Sequence, residues 1–252
     1  MKQVSMVALS ALSALMSTTA SAKVLMQDNG VNVGWMEEIS SDSEASGQYS
    51  RNFLIAHHRT VADWGMVFVK GQMENVGATS DDLDGNDGDV WFKAMTTVYY
   101  NLNDSGLMGW YDLFVNQNQN VAEVHNVLGI AYKHRFNKLT LTGGLGMNYF
   151  SGHTPLGSAE GLMTPVARIT ATYPISNNLN TFVVVNAHLD RDTDALADSF
   201  ASWGKTGHQI LAGVNYTFAP KWDLNLTYRK FDNWGGYAEG GDSVVTTVGY
   251  HF

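Results

Sequence analysis

The chain has 252 residues, of which 15% are charged and 12% are aromatic, and it contains no cysteine. A typical soluble domain has roughly 25% charged residues, so this composition favours a β-rich protein that faces something other than water. The lack of cysteine excludes a disulfide-stabilised scaffold. The formal net charge of −9 argues against a nucleic-acid partner.

The first segment, residues 1–22, is predicted to be a secretory signal peptide. Lys2 supplies a positive start, residues 4–16 are mostly small and apolar, and residues 20–22 fit a cleavage site. The apolar run is shorter than the roughly 20 residues of a membrane-spanning helix, and no later apolar stretch is long enough. We therefore expect an exported protein with a single domain, residues 23–252.

The rest of the chain alternates apolar and polar side chains with a period of two, which is typical of strands with one apolar face. In the stretch DVWFKAMTTVYYNL, Phe92 and Val98 share one face, whereas Trp91 and Lys93 share the other. The pattern predicts about twelve strands. They span residues 31–38, 48–59, 65–75, 89–102, 107–118, 123–136, 139–150, 165–175, 179–189, 207–218, 222–232 and 243–252.

The connections between these strands alternate in length. Turns such as NDSG and SNN are short, whereas SSDSEASG, VGATSDDLDGNDG, SGHTPLGSAEGL, RDTDALADSFASWGK and NWGGYAEGG are long and polar. An even number of strands of about ten residues, with short periplasmic turns and longer outer loops, is typical of outer-membrane barrels. We predict an all-β fold: a transmembrane antiparallel up-and-down β-barrel of about 12 strands in a bacterial outer membrane.

The last predicted strand carries Val248, Tyr250 and Phe252 on one face. In a closed barrel this strand pairs with the first and leaves no open edge. The terminal aromatic pattern resembles the signal read by the barrel-insertion machinery, so we expect Phe252 to be recognised there. The apolar faces are expected to contact outer-membrane lipid and lipopolysaccharide.

The polar faces are expected to line the lumen, where they combine charges, amides and aromatic rings. This mixture suits a flat amphipathic solute such as a nucleoside, because a base can stack on a ring, worth about 1–3 kcal/mol, while polar groups bind the sugar. For each single ring, simple filling of the lumen is an equal alternative. The predicted solute-contacting residues, chosen by strand phase alone, are Phe68, Lys70, Trp91, Tyr99, Trp110, Asp112, Phe114, Arg168, Phe182, Asn186 and Arg229.

Several stretches together resemble a known family. VNVGWME, GMVFVKGQMENV, an acidic loop, VWFKAMTTVYYNL and the final TVGYHF are similar to the nucleoside-specific channel-forming outer-membrane proteins of the Tsx type, especially their OmpK-like members. The likeness covers most of the mature chain as a pattern of strands. It implies passive, cofactor-free uptake of nucleosides and use of the outer loops as a phage receptor. No site residue is carried over from it.

Carboxylate-rich segments raise the alternative of a metal site. Residues 81–89, DDLDGNDGD, lack the glycine and glutamate that an EF-hand needs at its sixth and twelfth positions, so a solvated outer loop is expected. The segment HLDRDTDALAD runs from a strand into a loop that does not force its side chains together. His57 and His58 point to opposite faces of a strand and cannot share one ion. We expect no metal site.

Two other functions stay open. A phospholipase-like outer-membrane enzyme would place a serine and a histidine on the lipid-facing wall. His57, His125 and His134 lie in predicted strands, but no serine accompanies them at matching phase. A barrel that only displays its loops, as an adhesin or receptor, would need a plugged lumen. We expect a channel for small solutes and not an enzyme.

Overall fold

The computed structural model describes residues 22–40, 50–77, 90–196, 200, 203–234 and 240–252. Almost all of the predicted signal peptide and the acidic segment 81–89 lie outside these ranges. Within them, no helix is long and apolar enough to cross a membrane. The described elements are β1 (Val24–Glu38), β2 (Arg51–Ala62), β3 (Gly65–Glu74), β4 (Trp91–Asn101), β5 (Leu107–Gln117), β6 (Ala122–Phe136), β7 (Leu139–Thr154), β8 (Gly157–Pro174), β9 (Leu179–His188), the short helix α1 (Thr193–Leu196), β10 (Gly207–Ala219), β11 (Trp222–Asp232) and β12 (Gly241–His251).

The twelve strands form one closed antiparallel barrel in which sequence neighbours pair and β12 pairs with β1. At this seam Gly30 lies opposite His251, and Trp35 lies opposite Thr246. The Phe252 N–H donates to the carbonyl of Asn29 at 3.0 Å. The last strand therefore has its backbone bonds satisfied within the protein, as lipid requires. The predicted fold class is confirmed.

The outer face of the barrel is apolar. Leu128 in the middle of β6 is 72% exposed, which suits contact with lipid rather than water. Aromatic rings follow one another along the rim where β1 begins, β12 ends and the short turns lie, called the turn rim below. Phe218, Trp222, Tyr250 and Phe252 have successive centroid distances of 6.5, 5.0 and 6.5 Å. Such an interfacial girdle is expected of a membrane barrel.

The longer connections lie at the opposite rim, called the loop rim below, and there the prediction of one long loop was wrong. The stretch SGHTPLGSAEGL continues β7 and β8 as a paired hairpin that turns between Thr154 and Gly157, with a register shift after Phe150. Its glycines and serines suggested a loop, but the hairpin buries Phe150 and Ala159 in an apolar cluster with the β9–β10 connection. This packing offsets the weak strand propensity.

The first strand is longer than predicted. β1 begins at Val24 instead of residue 31, and pairs with β2 from the Val24–Ala62 pair onward with a register shift between Val24 and Met26. The poor alternation of this strand hid its start. Asp28, Asn29 and Gly30 all pair with β2, and Gly30 also pairs with His251 of β12.

Candidate functional site in the barrel lumen

The strand register places all eleven predicted lumen residues on the inner face. Paired positions such as Tyr99 with Trp110 and Arg168 with Asn186 share that face across neighbouring strands. They do not form one site. They lie in separate groups at different heights along the lumen.

One group is centred on Arg168 of β8 and is called the Arg168 cluster below. The Arg168 Nη1 pairs with Asp112 Oδ2 of β5 at 2.5 Å, and its Nε donates to Asn186 Oδ1 of β9 at 2.6 Å. The guanidinium lies 5.0 Å from the Trp110 ring centroid and also bonds the Tyr99 side chain. Because β5 and β8 are three places apart in the barrel, the ion pair runs as a chord across the lumen.

Small residues on the inner faces of β6 and β7 make room for this chord. A Cβ added to Gly144 would lie 2.9 Å from the Trp110 ring. The ring, 3% exposed, packs with Val127 and Ala131 of β6 and Val166 of β8. Trp110 is thus part of the lumen wall, with Gly144 near one side and Arg168 over its ring.

Unpartnered polar atoms follow the inner face of β5. Trp110 Nε1, Asp112 Oδ1 and Asn116 Oδ1 are buried and have no hydrogen-bond partner among the described residues. A buried polar atom left unsatisfied costs about 1–3 kcal/mol, so such atoms are normally bonded to water or a ligand. The three atoms form a column of one donor and two acceptors along the lumen.

A second group, called the basic wall below, covers β2 to β4 and is centred on Glu74, which is 2% exposed. Glu74 accepts from Arg51 Nε at 2.8 Å, Lys93 Nζ at 2.6 Å and Gln72 Nε2 at 2.6 Å. Lys70 Nζ donates to Gln72 Oε1 at 3.0 Å. One carboxylate is therefore held by a ladder of donors on three strands.

Arg229 of β11 extends the positive charge around the barrel. Its guanidinium lies 4.6 Å from the Phe231 ring centroid, and its Nη1 is 3.7 Å from Met36 Sδ. Its charge also acts on Glu74 and Lys93 of the basic wall. Glu74 thus lies in the field of four cationic side chains, Arg51, Lys70, Lys93 and Arg229.

Described residues of the connection between β9 and β10 pack into the lumen at the loop rim. Leu196, Phe200 and Trp203 are buried, and the Phe200 and Trp203 rings lie 5.2 and 5.1 Å from Phe150. His125 of β6 lies 4.9 Å from the same phenylalanine ring. The upper lumen is therefore narrowed by aromatic side chains.

Arg191 holds this connection in place. Its guanidinium lies 4.8 Å from the Trp203 ring centroid, and its Nη1 donates to the carbonyl of Gly204 at 3.1 Å. Burial lowers the pKa of Arg191 to about 10, and the charge of Glu123 opposes that shift. Arg191 therefore remains a cation at neutral pH.

Replacing Trp203 with alanine is expected to raise single-channel conductance, because the ring fills the upper lumen. Truncating a buried tryptophan typically costs about 3–5 kcal/mol, which would undock the connection from Phe150. Trp222→Ala, on the outer face at the turn rim, is the matched control. Equal conductance of the Trp203 variant and the unaltered chain in planar bilayers would contradict this role.

The other predicted rings are half-buried and have neighbours outside the Arg168 cluster. The ring centroids of Phe114 and His125 are 5.9 Å apart, and those of Phe68 and His57 are 6.2 Å apart. Trp91 lies opposite Glu74 in the register of β3 and β4. Phe182 lies against Gly213 of β10, where an added Cβ would be 2.8 Å from its ring.

Sequence reasoning missed Arg51, Glu123 and His125 as lumen groups. Arg51 was missed because the inner face of β2 also carries Phe53 and Ile55, so neither face of that strand reads as polar. Because both faces of β2 mix apolar and polar residues, the alternation does not show which face points inward. The pairing of β2 with β3, whose inner face is clear, would have revealed it.

Comparisons with known proteins agree with this architecture. A family model described as the nucleoside-specific channel-forming protein Tsx matches residues 31–252. A search of curated proteins finds no significant match. Among solved structures, the fold is similar to the COG4313 outer membrane channel from Pseudomonas putida F1, with a TM-score of 0.53, 10% identity, and coverage of 92% of this chain and 98% of the other.

The NanC porin is similar as well, with a TM-score of 0.55, 11% identity, and coverage of 88% of this chain and 98% of that one. At such identities these structures show the fold alone. The family match spans nearly the whole barrel. The chain therefore belongs to the Tsx family of channel-forming proteins of the bacterial outer membrane.

Proposed function

We propose that this barrel is a passive, cofactor-free channel for nucleosides. The observation that carries the proposal is the column of unpartnered polar atoms on β5, next to the Arg168 cluster. Ribose hydroxyls can donate to Asp112 Oδ1 and Asn116 Oδ1, and a sugar or base oxygen can accept from Trp110 Nε1. Each contact replaces a bond to water, so binding is weak enough for release.

Half-buried aromatic rings would bind the base of the nucleoside. Phe114, Tyr99 and Phe182 lie on the inner faces of β5, β4 and β9. A base can stack on an aromatic ring with about 1–3 kcal/mol. A solute that exchanges one ring for another would be selected without being trapped, as conduction requires.

The short turns define the periplasmic rim, so a solute would enter past the connection between β9 and β10. It would then meet the Arg168 cluster and leave near Phe68 and His57. We propose that residues 1–22 are removed on export and that Phe252 is read by the insertion machinery. The mass of the exported chain tests the first of these proposals.

The test of the proposed function is single-channel conductance of the purified, refolded chain, titrated with adenosine and thymidine, with ribose as control. Stepwise block by both nucleosides but not by ribose is the expected result, because ribose lacks the base that stacks. Steps that no solute alters would contradict nucleoside recognition. A folded barrel with no conductance would contradict the channel itself.

A display barrel is the second candidate, and the packing of Phe200 and Trp203 against Phe150 at the loop rim favours it. Such a barrel would not conduct, yet its outer loops would still bind a partner such as a bacteriophage. Phage adsorption to cells that carry the barrel, measured alongside conductance, separates the two functions. A conducting barrel that also adsorbs phage would be a channel and a phage receptor at once.

A further inference from the structure

Four titratable side chains meet on the inner face near the turn rim, across the seam of the barrel. They come from four strands: Asp28 from β1, His57 from β2, Asp223 from β11 and His251 from β12. His251 Nδ1 lies 2.6 Å from Asp28 Oδ1, and His57 Nε2 lies 3.5 Å from Asp28 Oδ2. One ligand atom from each of Asp28, His57 and His251 lies within 4.8 Å of the other two.

The spacing of these atoms suits a metal ion. A tetrahedral zinc site with bonds of 2.0–2.2 Å places neighbouring ligand atoms roughly 3.3 Å apart. His57 Nε2 lies 3.5 Å from Asp28 Oδ2, close to this spacing, whereas His251 Nδ1 lies 2.6 Å from Asp28 Oδ1. Side-chain rotation that lengthens the second separation by less than about 1 Å would give an ion room between the ligands. Two imidazoles and a carboxylate favour zinc and related transition metals over magnesium or calcium, which prefer all-oxygen sites.

Asp223 occupies the position of an outer-shell partner. Its Oδ1 lies 3.1 Å from His251 Nε2, the ring nitrogen that does not face Asp28. Metal-ligating histidines usually donate their second N–H to a carboxylate, which fixes the tautomer and the orientation of the ring. The arrangement therefore presents His251 Nδ1 as a ligand atom. Asp223 acts through His251, as a positioning residue.

Glycines make room for the group. A Cβ at Gly30 would lie 2.5 Å from the His57 ring, and a Cβ at Gly249 would clash with the Asp223 carboxylate. Of the two nearby cations, Arg59 of β2 lies opposite Asp28 and is exposed, and Lys70 of β3 is turned toward Gln72 at 3.0 Å. With neutral imidazoles the four side chains carry two negative charges, which a divalent cation would balance.

We propose that Asp28, His57 and His251 bind one divalent transition-metal ion of the zinc class, with Asp223 positioning His251. The ion would join β1, β2 and β12, and so tie the first strand of the barrel to the last. A ligand that binds only the folded state stabilises it. Three protein ligands leave a fourth position open toward the lumen. The proposal does not depend on which solute the channel carries.

The test is isothermal titration of the refolded, tag-free full chain with Zn²⁺ at pH 7.5, with Mg²⁺ and Ca²⁺ as comparison ions. One Zn²⁺ per barrel is expected, with no comparable heat from the other two ions. Zn²⁺ should also raise the unfolding temperature, and EDTA should reverse the rise. Zn²⁺ affinity should fall at acid pH, because protonated imidazoles cannot ligate.

His57→Gln is the first variant, because His251 adjoins Phe252 and its replacement could disturb insertion. We expect His57→Gln to weaken Zn²⁺ binding by more than tenfold, and Asp223→Asn to weaken it by about 10–100-fold. The matched control is His58→Gln, one residue along β2 on the outer face, where the ring bonds Asn29 at 2.7 Å and Thr60 at 2.8 Å. This control should leave Zn²⁺ binding unchanged.

A folded barrel that binds no Zn²⁺, or binds it equally well with His57→Gln, would overturn the proposal. Folding of each variant is checked by the mobility of the unheated barrel on a denaturing gel. If His57→Gln does not fold, Asp28→Asn replaces it and carries the same expectation. No nucleoside is present in this experiment, so its failure is distinct from failure of nucleoside conduction.

Discussion

Replacing Phe182 with alanine is expected to weaken the block of the channel by adenosine and thymidine by roughly 5- to 150-fold. This range corresponds to the loss of one base–ring stack, worth about 1–3 kcal/mol. The half-buried Phe182 ring faces the lumen next to Gly213, a position without a side chain of its own. The measurement is the concentration of nucleoside that halves the single-channel current.

Phe92→Ala is the matched control, because Phe92 lies on the outer face of β4 and is 42% exposed. It removes the same ring from the lipid side and should leave nucleoside block unchanged. Ribose should act equally weakly on both variants, since it has no base. If nucleosides block the Phe182→Ala and Phe92→Ala channels as strongly as the unaltered channel, Phe182 only fills the lumen and does not bind solute.

Replacing Glu74 with glutamine is expected to shift the channel toward anions and to destabilise the barrel. Glu74 is the buried carboxylate at the centre of the basic wall and is held by Arg51 at 2.8 Å and Lys93 at 2.6 Å. Without its charge, Lys93 and Lys70 lose the carboxylate that acts on both of them, and this side of the lumen becomes more positive. Breaking a buried ion pair by removing one partner typically costs about 3–5 kcal/mol. Reversal potential in a salt gradient and unfolding in urea measure the two effects.

Glu37→Gln provides the control for this change. Glu37 lies on the outer face of β1 and accepts from Trp35 Nε1 at 2.7 Å, so its loss removes the same charge outside the lumen. Its reversal potential should match that of the unaltered channel. A Glu74→Gln barrel with unaltered ion preference would show that ions do not pass the basic wall.

The alternation of side chains alone determined the class of fold. In a barrel each strand has one face toward lipid and one toward the lumen, and the pleat converts that difference into a period of two. Strands with clear phase, such as β4 and β11, were therefore placed to within two residues at each end. The same phase put Asp112, Arg168 and Asn186 on the inner face before any contact was known.

Strand phase could not say which inner residues touch. Asp112 and Arg168 are 56 positions apart in the sequence, and only barrel closure brings β5 and β8 near enough for an ion pair. The missing side chain of Gly144 in β7 makes room for the Trp110 ring. These contacts depend on strand register and on how closely non-adjacent strands approach across the lumen. No local sequence pattern encodes either of these.

Tertiary structure also decided the features at the two rims. At the loop rim, packing around Phe150 turned an expected loop into a hairpin and drew Trp203 into the lumen. At the turn rim, pairing of β12 with β1 brought His251 to Asp28, from opposite ends of the chain. The sequence by itself determined the faces of the strands, because each face follows from local pleating. Only closure of the barrel decided the neighbours, because it joins residues that are distant along the chain.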